Sequence, residues 1–165
     1  MTQVTDKTGT PEQLHDDLWG MYQENVSQSR HHEDQRSSVA GTLLTIAGAV
    51  VSLITFKNKI GPFDLPLTIL MTAIGIFGMM FSYKQYERSC LHLERARQYR
   101  DAVDAFFEGG PVKTIKLAAD AKNAEAFPRF SKLRLNVFWM SLYGLIALLG
   151  VILTGVAIFW PVTAA

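Results

Sequence analysis

The sequence predicts an all-α membrane protein with three transmembrane helices, the first two extended into a long antiparallel cytoplasmic helical hairpin. Three observations carry this reading. The chain has 165 residues with 16 Lys+Arg against 15 Asp+Glu, yet residues 37–56, 65–83 and 135–165 hold no charge at all. An uncharged apolar run of roughly 18 residues or more is long enough to cross a bilayer. Second, the stretches below the first two runs, residues 11–36 and 84–108, are nearly equal in length and both read as helix. Third, 14 of the 16 basic residues fall in the N-terminal arm and the connection between runs two and three, which places those segments together on the cytoplasmic side.

Taken in order, residues 1–10 are polar and are expected to be disordered. Thr10-Pro11-Glu12-Gln13 reads as a helix start, with Thr10 as cap, Pro11 at the first helical position and Gln13 completing a capping box. Leu14, Leu18 and Met21 follow at helical spacing, and no breaker cluster intervenes before the first span, so one helix is expected from about Pro11 to Phe56. Asn58, Gly61 and Pro62 make residues 57–64 an outer loop.

The second helix starts near Asp64 or Leu65 and has no stop at the end of its span. Tyr86, Cys90, Leu93, Ala96, Tyr99, Val103 and Phe106 recur every three or four residues, an amphipathic stripe close to a heptad pattern. Gly109-Gly110-Pro111 ends it. At 1.5 Å per residue each cytoplasmic segment projects roughly 38 Å, and pairing positions of equal depth sets Leu14 level with Phe106, Met21 with Tyr99 and Glu33 with Arg88. Leu14, Leu18, Met21, Tyr99, Val103 and Phe106 are therefore the candidate hairpin-packing residues.

Residues 109–136 form a basic connector. Lys113, Lys116, Lys122, Arg129, Lys132 and Arg134 outnumber Asp120 and Glu125; residues 120–127 have room for two helical turns before Pro128. The third span covers residues 137–160, with Trp139 and Trp160 as interfacial anchors, and residues 161–165 form an outer tail.

The N-terminal arm carries seven acids and lacks a basic start with an early apolar core, so the first span is expected to act as an uncleaved anchor. Cys90 is the single cysteine; no intrachain disulfide is possible, and its place on the stripe suggests a buried structural thiol.

The spans contain no Asp, Glu, Lys, Arg or His, which argues against an ion-coupled transporter, a proton pump or an intramembrane haem protein. They do contain small residues at helical spacing: Gly41, Thr45, Gly48 and Ser52; Thr68, Thr72, Gly75 and Gly78; Gly144, Ala147, Gly150 and Thr154. Such residues let helices approach closely, either within one chain or between chains around a central path.

His31-His32-Glu33-Asp34 cannot converge on one metal ion from a single helix, because consecutive residues point about 100° apart. Intrahelical pairs account for Arg95, Arg97 and Arg100 among Glu94, Asp101 and Asp104. Lys113, Lys116, Arg129, Lys132 and Arg134 are candidates for contacts with lipid headgroups or a partner. No phosphate loop, catalytic triad or nucleic-acid motif is visible, so neither an enzyme activity, a cofactor nor direct nucleic-acid binding is expected.

Residues 22–36 leading into the first span, and Tyr83-Lys-Gln-Tyr-Glu-Arg88 through Arg100 leaving the second, give residues 11–108 an architecture that resembles the SLATT group of small bacterial membrane proteins. The third span is additional to that two-span pattern. The resemblance implies an oligomeric effector that permeabilises the inner membrane in antiviral or nucleotide-signalling systems, triggered by a cytoplasmic protein or nucleotide signal. It carries over no functional residues. The expectation is thus an oligomeric inner-membrane pore or membrane-disrupting effector in contact with lipids, N-terminus inside and C-terminus outside; a structural subunit of a larger membrane complex is the alternative.

Overall fold

A computed structural model of the chain describes residues 9–56, 60–129 and 134–159. The expected disorder at residues 1–8, part of the outer loop (57–59), Lys132, Trp160 and the outer tail lie outside these. Among the described residues the fold is entirely helical: α1 (Pro11–Phe56), a single 3-10 turn (Pro62–Asp64), α2 (Leu65–Asp104), α3 (Pro111–Ala126) and α4 (Leu135–Phe159). Three of these, α1, α2 with its preceding turn, and α4, are long and apolar enough to cross a membrane.

Local chemistry explains the boundaries. At the start of α1 the Gln13 amide N–H donates to Thr10 Oγ1 (3.3 Å) while the Thr10 amide donates to Gln13 Oε1 (3.0 Å), the reciprocal pair of a capping box. Before α2, the Gly61 amide donates to Asp64 Oδ2 at 3.1 Å, giving the buried Asp64 carboxylate a local partner.

The second helix stops at Asp104, four residues before the expected end at Glu108. The buried Asp104 carboxylate accepts the Val112 and Lys113 amides, both at 2.9 Å. It thereby caps α3 from eight residues upstream, satisfying amide groups that a helix start leaves unpaired. Gly109 and Gly110 take φ of +81° and +55° to turn the chain between them, a region that costs glycine nothing. With its start capped in this way, helix begins at Pro111 and fills most of the expected connector instead of two turns near residue 120.

The chain divides into two compact units. One is built from the chain up to His31 and from Arg88 to Lys132. In it His15 meets Phe106 and Phe107 edge-on (centroids 5.6 and 6.1 Å), Asn25 Oδ1 meets His92 Nδ1 (3.1 Å), and Ser29 Oγ meets Ser89 Oγ (2.9 Å). Rising positions on α1 meet falling positions on α2, so these segments run antiparallel.

The expected packing residues fare unevenly. Val103 is buried, Leu18 and Tyr99 are half-buried, and Leu14, Met21 and Phe106 are exposed. Cys90 is exposed too, not the buried thiol the stripe suggested. The buried positions are Asn25, Ser89, Ala96, Val103 and Asp104. The seam lies one residue before Cys90, and its hydrogen bonds among Asn25, Ser29, Ser89 and His92 set the rotation of the helices.

The second unit comprises His32–Glu87 and the chain from Leu133 onward. Its core is apolar: Ala40, Leu43, Ala47, Val50 and Ile54 of α1, Met71 and Ile74 of α2, and Tyr143 and Ile146 of α4. The α1 members recur every three or four residues, the period that keeps one helix face inward.

Candidate functional site

The small residues of the three apolar helices divide into two groups. In the first, α2 and α4 approach almost backbone to backbone. A Cβ added to Gly75 would lie 2.7 Å from Ala147 Cα; one added to Gly78 would lie 2.8 Å from Tyr143 Cγ; one added to Gly150 would lie 2.5 Å from the Thr72 amide nitrogen. Thr154 Oγ1 bonds Thr68 Oγ1 at 2.9 Å and the Gly150 carbonyl at 2.8 Å. Gly144 lies nearby with Met79 Sδ 4.0 Å from its virtual Cβ. Thus Thr68, Thr72, Gly75, Gly78, Gly144, Ala147, Gly150 and Thr154 serve contact within the chain. The partners pair in falling and rising order (78 with 143, 75 with 147, 72 with 150, 68 with 154), an antiparallel register without slippage.

The second group lies on α1. A Cβ on Gly41 or Gly48 meets nothing within 4 Å. Thr45 and Ser52 are exposed, and their hydroxyls donate back to the Gly41 and Gly48 carbonyls, each at 2.9 Å. Gly41, Thr45, Gly48 and Ser52 therefore form a smooth stripe with its hydroxyl donors already satisfied, opposite the face that enters the core.

A third arrangement was not foreseen. Arg36, the last charge before the first uncharged run, is only 2% exposed. One of its nitrogens, Nη2, pairs with Glu33, and its guanidinium stands over the Trp139 ring, 5.7 Å from the centroid. Neighbouring contacts fix what lies level with it. His32 Nδ1 meets Gln85 Oε1 at 2.7 Å and Gln85 Nε2 donates to Gln35 Oε1 at 3.1 Å, so Arg36, one turn beyond His32, stands level with Ser82. Continuing the α2–α4 register from Gly78 and Tyr143 sets Ser82 level with Trp139. The sequence signal was the position of Arg36 itself: a cation adjoining an apolar run, facing an aromatic at the start of another.

The remaining candidates are peripheral. Lys116 pairs with Asp120, Lys113 contributes its backbone amide to the Asp104 cap, and Arg129 and Arg134 are exposed. Arg97 pairs with Glu94 (3.2 Å) and Arg100 with Asp101 (2.5 Å). His32 and His92 bond Gln85 and Asn25, and among the described residues no three His, Cys, Asp or Glu side chains group closely enough to hold a metal. No family profile, curated protein or solved structure matches the chain.

Proposed function

We propose that this chain is an oligomeric pore or membrane-disrupting effector of the bacterial inner membrane, acting in antiphage defence. The arm and the region between the second and third spans lie in the cytoplasm, and the C-terminus lies outside. The cytoplasmic ends of α1 and α2 act as a helical hairpin that receives a protein or nucleotide signal. The chain is non-catalytic and needs no cofactor.

One observation carries the proposal. Thr68, Thr72, Gly75, Gly78, Ala147, Gly150 and Thr154 of α2 and α4 are engaged by contacts within the chain, whereas Gly41, Thr45, Gly48 and Ser52 form an open stripe on α1. In a bilayer there is no hydrophobic gain from covering an apolar face, so close packing of small residues is what drives association. A second copy of α1 is the occupant such a stripe accepts. The basic distribution supports the orientation, and Lys113, Lys116, Arg129, Lys132 and Arg134 are suited to the anionic inner leaflet.

Gly48→Leu tests the assembly, because a Cβ at this exposed position meets nothing within 4 Å. The wild type should run as a homo-oligomer in detergent by light scattering and depolarise cells on induction, read with a membrane-potential dye. The variant should shift to smaller species and leave the potential intact. A monomeric wild type with unchanged potential and growth would refute the proposal. The alternative, a structural subunit of a larger complex, draws support from exposed Phe106 and Phe107; it predicts stoichiometric co-purifying partners.

A further inference from the structure

Around Arg36 lie six buried side-chain atoms without a hydrogen-bond partner: Arg36 Nε and Nη1, Ser82 Oγ, Asn136 Oδ1, Trp139 Nε1 and Tyr143 Oη. They come from three helices. Arg36, Ser82 and Trp139 share one level, and Asn136 and Tyr143 stand one turn to either side on α4. Arg36, Ser82 and Tyr143 are each at least nine-tenths buried. An isolated buried donor costs roughly 1–3 kcal/mol, so a layer that concentrates them on a cation is a built site rather than ordinary core.

The composition of the layer selects its ligand. Arg36 Nε offers one N–H and Nη1 two, and Trp139 Nε1 offers one more; the Ser82 and Tyr143 hydroxyls can each donate. Asn136 Oδ1 is the fixed acceptor. What completes such a set is a group that accepts from several directions and carries negative charge. A guanidinium presents fixed, charged N–H donors that suit the oxygens of an oxyanion. Glu33 engages Nη2, with 39% of its side chain in solvent, and leaves Nε and Nη1, which point to different sides of the guanidinium, each open to a separate acceptor oxygen. The layer also adjoins the end of the charged part of α1 and the start of α4, the depth at which Trp and Arg meet lipid headgroups.

We infer that Arg36, Ser82, Trp139 and Tyr143 form a seat for a phosphate oxyanion, supplied by a phospholipid headgroup or by a soluble phosphate compound. The seat is independent of the oligomer reading, since every group in it belongs to one chain.

The test uses the full-length protein in dodecyl maltoside. Native mass spectrometry reads binding of dioleoylphosphatidylglycerol, of a phosphate-free galactosyl diacylglycerol, and of inorganic phosphate, with thermal melting alongside. With a headgroup source, the wild type retains the phospholipid in preference to the galactolipid, and high salt does not remove it because the site is buried. With a soluble source, inorganic phosphate alone binds and raises the melting temperature. Trp139→Phe removes one N–H and keeps the ring under the guanidinium, and should weaken binding by about tenfold; Arg36→Gln removes the charge and the Nε and Nη1 donors and should weaken it by about a hundredfold. If Arg36→Gln does not fold, Trp139→Phe and Tyr143→Phe carry the test. Equal binding of both lipids by the wild type and variants, with no response to inorganic phosphate, would mean that the layer holds water alone and would overturn the inference.

Discussion

The α2–α4 contact makes a quantitative prediction for Gly75→Ala. The new Cβ would sit 2.7 Å from Ala147 Cα and against Ala147 Cβ, where carbon atoms normally rest about 3.5–4.0 Å apart. Both neighbours are backbone or attached directly to it, so no rotamer change relieves the clash; α4 has to withdraw by about 1 Å. Overpacking of this kind costs roughly 1–3 kcal/mol. Withdrawal also strains the Thr154–Thr68 hydrogen bond, worth about 0.6 kcal/mol between membrane helices. We expect a loss of about 2 kcal/mol, close to a thirtyfold change in the folding equilibrium. Gly155→Ala is the control, since its Cβ meets nothing and it lies outside the α1 stripe; it should stay within about 0.5 kcal/mol of wild type. Unfolding by SDS in mixed dodecyl maltoside micelles, followed by tryptophan fluorescence at one protein concentration, measures both. The reasoning fails if Gly75→Ala lies within about 0.5 kcal/mol of wild type, or if Gly155→Ala is equally damaging.

Three further outcomes follow from the geometry. Asp104→Ala removes the shared acceptor of the Val112 and Lys113 amides and should cost about 1–2 kcal/mol, seen as faster hydrogen exchange across the first turn of α3. Asn25→Ala breaks the bonds to the Met21 carbonyl (2.8 Å) and to His92; a loss of about 1–2 kcal/mol is expected, with increased protease sensitivity near residues 25 and 92. Cys90 is exposed and is the single thiol, so a membrane-impermeant maleimide should label it in inverted vesicles and not in intact spheroplasts. Labelling in intact spheroplasts would reverse the proposed orientation.

Where sequence reasoning succeeded, the signal was strong and local. The three uncharged runs mark the three apolar helices, and Thr10 with Gln13 marks the first turn of α1 through side chains three residues apart. It failed where a distant or polar partner decided the outcome. The end of α2 and the extent of α3 hinge on Asp104, whose carboxylate reaches across two glycines to amides eight and nine residues away. The stripe through Cys90 assumed that apolar residues mark the inner face. In that unit hydrogen bonds among Asn25, Ser29, Ser89 and His92 fix the rotation, and Leu14, Met21 and Phe106 turn outward. Small residues were found by spacing alone, but spacing does not say which helix covers them: Gly75 and Gly48 look alike until the contact with Ala147 separates them.

The polar seam has a thermal consequence. Exposing apolar surface raises the heat capacity of a protein, and exposing polar surface lowers it. Among the described residues of the seam unit, Ala96 and Val103 are the buried hydrophobic ones, beside Asn25, Ser89 and Asp104. Parting α1 from α2 there exposes polar groups along with apolar ones, so the polar contribution offsets part of the apolar one. The enthalpy of opening then changes less with temperature than it would for a seam of apolar groups alone, and the plot of its logarithmic equilibrium constant against inverse temperature is less curved. The apolar-cored unit, with nine buried hydrophobic residues in one cluster, sits on the other side of that contrast.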